Sequence, residues 1–180
     1  MGDRTAIRSE LRPDDPRLDA WRAFLVAHAR LSRRLDEELR AEHDLSLAEY
    51  DALLQLAQAP DRRLRMSRLA GLVLLSKSGV TRLIDRLEAD GFVERTQCLH
   101  DARGAEAVLT GTGLEKLRTA AETHLAGIDR YFMATLGPTE LATIQRSLTA
   151  VARSAGDEAE ASADEPVGPT VTERTLAPAG

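Results

Sequence analysis

The chain has little of what disulfide chemistry or membrane insertion would require. It contains one cysteine, Cys98, which excludes an intramolecular disulfide framework and a cysteine-rich zinc site. No uninterrupted apolar run approaches the roughly 20 residues needed to cross a bilayer, and the first ten residues contain no apolar signal core. We therefore expect a cytoplasmic protein.

Recognisable catalytic motifs are missing as well. The sequence has no nucleophile elbow and no glycine-rich phosphate loop, and its four histidines are scattered along the chain. Cys98 and His100 are close in sequence, but two ligands without further clustered cysteine or histidine make an incomplete metal site. We expect neither an enzyme nor a bound metal or cofactor.

Charge is distributed unevenly. The net charge of the chain is −5, and residues 157–180, with six acids and one arginine, account for all of it. Residues 62–103 instead contain nine cations and five acids. Because attraction for phosphate depends on the local field, this basic stretch is compatible with a nucleic-acid partner despite the acidic total.

Helical periodicity covers most of the chain. A long amphipathic helix is predicted from about Arg17 to Glu42, and a second helix begins at the capping-box pair Ser46 and Glu49. After the basic stretch, two further helices are predicted, over 113–136 and from Pro138 onward. The predicted fold is therefore mainly α.

Two helices joined by a tight turn lie in the basic stretch. Ser67 is the predicted cap of the first, and Ser76 is the predicted cap of the second, which ends at Asp90-Gly91. Apolar residues recur in the second helix at the spacing of a buried face: Val80, Leu83, Ile84 and Leu87. Its opposite face carries polar and cationic residues: Lys77, Ser78, Thr81, Arg82 and, further round, Arg86.

This polar face has the composition that a major-groove helix requires. Short side chains such as Ser78 and Thr81 permit close approach, and Arg82 can pair bidentately with guanine. Ser76 and Lys77 begin the helix, where exposed amides and the macrodipole attract phosphate. Any solvent-facing amphipathic helix has a polar face, however, so this helix alone does not establish DNA binding.

A predicted β-hairpin follows the helix pair. Residues 92–93 and 108–109 have β character, and the intervening segment CLHDARG contains turn residues. Arg103 is predicted to lie in the turn beside Gly104, where its guanidinium can enter a narrow minor groove. Asp101 is expected to hold Arg103 by a charge-assisted hydrogen bond. The order of elements predicts a winged helix-turn-helix with a small antiparallel β wing.

The segment LSKSGVTRLIDRLEADGFVERTQCLHDARGAEAVLTGTG resembles the MarR family of bacterial transcription regulators. It is similar to that family's recognition helix, its Gly-hydrophobic-Val-Glu-Arg strand, its Asp-x-Arg wing and its Leu-Thr-x-x-Gly exit into the next helix. The resemblance extends over about 18–155. It departs from the family after Gly104, where Ala105 and Glu106 stand in place of a second basic or small polar residue.

The resemblance implies an obligate homodimer that occupies a pseudo-palindromic operator in double-stranded DNA. It implies that Ser76 to Arg82 face the groove, that Arg103 enters the minor groove, and that Arg95 and Asp101 support the wing. The long N- and C-terminal helices become dimerisation helices. The predicted organisation is a flexible arm (1–16), a dimerisation helix (17–45), a DNA-binding lobe (46–112), C-terminal dimerisation helices (113–155) and a disordered acidic tail (156–180).

Three alternatives remain open. Trp21 and His28 lie on the apolar side of the first helix, where family members bind small aromatic anions that release a repressor; we favour core packing for both residues. Cys98 is a candidate redox sensor if Arg95 and His100 lower its pKa, although a lone strand cysteine is more often inert. The winged helix is also compatible with a protein–protein interaction module.

Overall fold

The computed structural model describes residues 11–73, 76–98 and 101–160. Within these ranges it contains six α-helices and a small antiparallel sheet of three strands. The helices are α1 (Leu18–His43), α2 (Leu47–Gln58), α3 (Met66–Leu72), α4 (Lys77–Ala89), α5 (Gly111–Tyr131) and α6 (Pro138–Glu160), and the strands are β1 (Arg63–Arg65), β2 (Val93–Cys98) and β3 (Asp101–Leu109). This architecture confirms the predicted winged helix-turn-helix. No helix in the described ranges is long and apolar enough to span a bilayer.

The core forms where α1, α2, α4 and α5 meet the sheet. Its largest fully buried side chains come from these elements, from α3 and from the loop between α1 and α2: Leu39, Leu45, Leu53, Leu56, Leu69, Val80, Ile84, Leu87, Val93 and Leu117. The second half of α1 packs against α5, whereas the first half of α1 and the described part of α6 bury no residue within the chain.

The sheet places the wing directly after α4. The strand order is β1-β3-β2, so the central strand is the last in sequence. Pairing of β2 with β3 is regular from Val93 opposite Leu109 to Gln97 opposite Ala105. It then becomes irregular, because the next residue, Cys98, pairs with Asp101. Residues 102–104 of β3 therefore lie in a bulged part of the strand, where the pairing with β2 is interrupted.

Several boundaries differ from those predicted. Ser67 is not a cap: α3 begins at Met66, because strand pairing opposite Glu106 holds Arg65 extended immediately before it. Helix α5 runs from Gly111 to Tyr131 instead of 113–136, and a short 3₁₀ turn follows it. Helix α6 continues to Glu160, so the first five residues of the predicted tail, 156–160, are helical. Residues 1–10 of the predicted arm and 161–180 of the predicted tail lie outside the described residues.

Candidate nucleic-acid interface

Helix α4 is held by its apolar side and presents its polar side to solvent. Val80, Leu83, Ile84 and Leu87 are buried, as the periodicity predicted. Ser76 caps the helix: its hydroxyl oxygen accepts a hydrogen bond from the amide of Gly79 at 3.1 Å. At the other end the chain turns through Gly91, whose φ of +74° lies in the left-handed region that glycine adopts without strain.

The predicted groove-facing residues share the exposed face of this helix. Ser76, Ser78, Thr81 and Arg82 are all exposed. Within the described residues, Arg82 makes no hydrogen bond or ion pair, so its guanidinium is available to a ligand. The side chain of Lys77 lies outside the described residues. The structure thus brings four of the predicted contacts together on one surface.

Arg86 occupies a different environment from Arg82. Its Nε donates a hydrogen bond of 2.7 Å to Oε1 of Glu49 in α2, and Nη2 contacts the same oxygen. The side chain of Arg86 remains 60% exposed, whereas that of Glu49 is 4% exposed. Sequence reasoning predicted Glu49 only as part of a helix cap, and no local pattern connects it with a residue 37 positions later.

Arg95 connects the wing to α4. Its Nη2 donates to the carbonyl oxygen of Thr81 at 3.1 Å and contacts the carboxylate of Asp85. Its Nε lies 3.5 Å from Glu88 Oε2, and its backbone amide donates to Glu88 Oε1 at 3.1 Å. Both carboxylates belong to α4, so the first strand of the wing is joined to that helix at two points.

The wing residues with predicted DNA contacts lie in β3. The structure corrects the prediction that Arg103 occupies the turn: β3 already begins at Asp101, and the backbone of Arg103 falls in the bulged segment. The side chains of Cys98, Asp101 and Arg103 lie outside the described residues. The predicted Asp101–Arg103 hydrogen bond and the redox role of Cys98 therefore stay predictions.

Thr110 and Gly113 close the base of the wing. The Thr110 hydroxyl accepts from the amide of Gly113 at 2.9 Å, capping α5, and donates to the carbonyl oxygen of Gly91 at 2.8 Å. The amide of Thr110 also donates to the carbonyl oxygen of Phe92 at 3.1 Å. The Leu-Thr-x-x-Gly segment thus fixes α5 to the end of α4 and the start of β2.

Trp21 and His28 do not pack in the core of the chain. Trp21 is 54% exposed on the first half of α1 and stacks on Phe24, with ring centroids 5.9 Å apart. His28 is also exposed. The core-packing interpretation is therefore wrong, because an apolar stripe on a helix does not say whether the same chain covers it.

A cavity of about 610 Å³ lies between α1, α2 and α5, and the end of α3 reaches it. His28 lines this cavity, but Trp21 does not. On its inner wall the rings of Tyr50 and His124 lie 4.4 Å apart. Burial lowers the pKa of His124 and raises the pKa of Asp51, while burial and the charge of Asp51 raise the pKa of Tyr50 to about 12. Burial therefore disfavours the charged form of each of these three groups.

Known proteins share this arrangement. A family model described as MarR family matches residues 43–104. The chain is similar to AbsC, a MarR family transcriptional regulator from Streptomyces coelicolor, with 34% identity over 79% of this chain and 96% of that one, and a TM-score of 0.73. Sco3205 from the same organism, a MarR family regulator crystallised in complex with DNA, has 32% identity over 75% of this chain and 84% of its own, and a TM-score of 0.71.

Similarity to other regulators points the same way. The HTH-type transcriptional regulator TtmR of Methylorubrum extorquens (strain PA1) is 32% identical over 112 residues, which are 61% of this chain and 56% of that protein. The fold and the relatives are those of transcriptional regulators and not of enzymes. The similarity to AbsC extends over 96% of that protein and includes the helix pair, the wing and the flanking helices. The chain therefore belongs to the MarR family of DNA-binding transcriptional regulators.

Proposed function

We propose that this regulator is a homodimeric repressor that occupies an operator through α4 and the wing and is released by a small ligand. The exposed face of α4 carries the proposal. Ser78 and Thr81 are short enough for close approach to base edges, and Arg82 has no partner within the described residues that would compete with guanine. Ser76 and Lys77 begin the helix, where its dipole attracts phosphate.

The wing supplies the second contact. The bulge at residues 102–104, just before Ala105, contains the backbone of Arg103, and we infer that its guanidinium leaves the hairpin there for the minor groove. Arg95 of β2, bonded to α4, keeps the wing in a fixed relation to the recognition helix. Major-groove and minor-groove contacts are then presented together.

Substitution of two arginines tests the groove assignment. Arg82→Ala should weaken binding to a selected operator by about 1–3 kcal/mol and relax the preference at one base pair. Arg103→Ala should weaken binding to all sequences and reduce the slope of log affinity against log salt by about 1. Arg146→Ala in α6 removes the same charge and should leave affinity unchanged. Wild-type operator affinity in both test variants would refute the assignment.

The exposed apolar residues support a homodimer. The first half of α1 carries Trp21, Phe24, Leu25 and Val26, and α6 carries Leu148 and Val151, all more than 40% exposed. Such a concentration of apolar surface on two helices is typical of an interface. A two-fold dimer places two recognition helices roughly 34 Å apart, the repeat of the major groove.

One glutamate in α6 tests this interface. Val151→Glu should shift the protein to a monomer in sedimentation experiments and abolish operator binding, because a charge in an apolar interface is left unpaired. Thr149→Glu adds the same charge two residues away and is the matched control. A dimer of unchanged stability in the Val151 variant would contradict the proposal.

The cavity between α1, α2 and α5 is the proposed effector site. It adjoins both the dimerisation helices and the DNA-binding lobe, so a ligand that binds one arrangement of the two better shifts the population toward it. The rings of Tyr50 and His124, 4.4 Å apart and tilted by 40°, suit an aromatic ligand. Repression itself is tested by a reporter gene behind the operator, which should be silenced by the protein and expressed without it.

A ligand panel tests release. Aromatic acids and amines should include compounds that lower operator affinity, and Asp51→Asn, at the wall of the cavity, should alter their potency. Asp129→Asn, an exposed change on α5, should not. A panel that leaves operator affinity unchanged throughout would argue against release by an aromatic ligand.

A further inference from the structure

Glu49 performs two tasks with separate oxygen atoms. Its Oε2 accepts hydrogen bonds from the backbone amide and the hydroxyl of Ser46, each at 2.7 Å, and so completes the cap of α2. Its Oε1 accepts from Arg86 in α4 at 2.7 Å. Burial alone would raise the pKa of Glu49, but the hydrogen bonds from Ser46 and Arg86 outweigh it and the pKa is lowered. The carboxylate is therefore ionised at neutral pH.

Directional contacts from two arginines restrict the orientation of α4. The apolar side of the helix is fixed in depth by packing, and hydrophobic packing is non-directional. Directional contacts come from Arg86 to α2 and from Arg95 of β2, which bonds the carbonyl oxygen of Thr81 and the carboxylates of Asp85 and Glu88. A guanidinium on a carboxylate is restricted in angle as well as distance, so it limits rotation of the helix.

A small change in orientation at Arg86 is amplified at the start of the helix. Arg86 and Ser78 are eight residues apart, which is about 12 Å along a helix axis. A rotation of about 5° about the Arg86 end moves Ser78 by about 1 Å, enough to break a hydrogen bond of normal length. The proposed contacts of α4 with base edges therefore depend on the contacts that hold the helix at Arg86.

We propose that Glu49 is a positioning residue for operator recognition: through Arg86 it sets the angle at which α4 presents Ser78, Thr81 and Arg82 to base edges. Glu49 is 3% exposed and cannot itself contact DNA. The inference rests on the proposed groove contacts of α4. It assigns to α2 a part in sequence selectivity and not only in stability.

The sign of a charge effect makes the proposal testable. Glu49→Gln removes a negative charge from the DNA-binding lobe, which on electrostatic grounds leaves non-specific DNA binding unchanged or stronger. A positioning role predicts the opposite for the selected operator. The ratio of specific to non-specific affinity should fall roughly 5- to 150-fold, the effect of one lost bidentate base contact.

Two further variants complete the experiment. Glu122→Gln on α5 makes the same charge change at an exposed site and should leave the ratio unchanged. Arg86→Lys keeps the charge but loses the two-nitrogen contact, so it should lower the ratio like Glu49→Gln, and it serves as the test if Glu49→Gln does not fold by circular dichroism. The salt slope of non-specific binding should stay at its wild-type value in Arg86→Lys.

The outcomes separate this proposal from the one it rests on. If Arg82→Ala weakens operator binding but folded Glu49→Gln and Arg86→Lys keep the wild-type ratio, the positioning role is overturned and the groove assignment stands. Equal losses of specific and non-specific affinity would also overturn it, since they indicate a purely structural effect. If Arg82→Ala has no effect either, the groove assignment itself has failed.

Discussion

Gly113 is a position at which one added methyl group should have a large effect. A Cβ built on Gly113 lies 2.1 Å from the carbonyl oxygen of Phe92 and 2.9 Å from Leu109 Cδ1. The oxygen belongs to the backbone, so no rotamer change can relieve the contact. Gly111, two residues earlier in the same helix, has nothing within 4 Å of its Cβ position. The same substitution at the two sites therefore tests packing alone.

The loss of stability expected for Gly113→Ala depends on the backbone shift that the new Cβ requires. The Phe92 carbonyl oxygen lies 2.1 Å away and has to retreat to at least 3.4 Å, about 1.3 Å, to reach an ordinary contact distance, and backbone shifts caused by overpacking typically cost about 1–3 kcal/mol. The carbonyl also accepts hydrogen bonds from the amide and hydroxyl of Thr110, both at 3.1 Å. Weakening them adds about 1 kcal/mol. We expect Gly113→Ala to lower the free energy of unfolding by about 2–4 kcal/mol.

Gly111→Ala should have the opposite sign. It reduces the conformational freedom of the unfolded chain without a clash, which stabilises by about 0.4–1 kcal/mol. Thermal unfolding at one fixed protein concentration measures both variants, because the proposed dimerisation would make the midpoint depend on concentration. At roughly 2–4 °C per kcal/mol for a chain of this size, the two midpoints should differ by about 5 °C or more. Equal midpoints would refute the packing argument.

Three further predictions concern groups around α2. Burial raises the pKa of Tyr50 to about 12, so its contribution to the free energy of unfolding is complete below the ordinary pKa of 10 and is lost as pH rises from about 10 to about 12. Tyr50→Phe should therefore flatten the loss of stability over this pH range. An unchanged alkaline unfolding curve would contradict this prediction. Burial lowers the pKa of His124, so its contribution to the free energy of unfolding is complete above the ordinary pKa near 6.5 and is lost as pH falls through the lowered pKa. His124→Gln should therefore flatten the loss of stability on acidification. Chemical denaturation from pH 8 to 5 measures this loss, and a variant curve parallel to that of the wild type would contradict the prediction. Ser46→Ala should lower the free energy of unfolding by about 1–2 kcal/mol through loss of the α2 cap, whereas Ser46→Thr should retain most of it, and equal losses in the two would show that the hydroxyl is not the cause.

Most of the fold could be predicted from helix caps and hydrophobic periodicity in the sequence. Ser46 and Ser76 cap their helices as expected, and the buried stripe of α4 is the one that its spacing indicated. The incorrect predictions concern residues whose backbone conformation is determined by pairing with a neighbouring strand. Ser67 resembles a cap, but pairing of Arg65 with β3 starts the helix one residue earlier. Arg103 resembles a turn residue, but β3 extends through it.

The candidate site was only partly predictable for a related reason. Periodicity identifies which face of α4 is buried and therefore which residues are exposed. It does not identify contacts between distant segments, such as that of Arg86 with Glu49 or of Arg95 with Thr81. Trp21 shows a further limit: its position on an apolar stripe is correct, yet the side chain is exposed because this stripe is not covered by the chain itself.

Helix α5 connects the parts of the molecule whose functions we propose. At its start, Thr110 and Gly113 lock it to the base of the wing. Near its end, Arg130 and Tyr131 donate hydrogen bonds of 2.7 and 2.5 Å to one oxygen of Glu38 in α1. Between these points His124 lines the cavity. Because Thr110 and Gly113 hold the start of α5 to the base of the wing, we expect a ligand that displaces α5 to move the wing as well, and we propose the Gly113 contact as a route from effector to DNA.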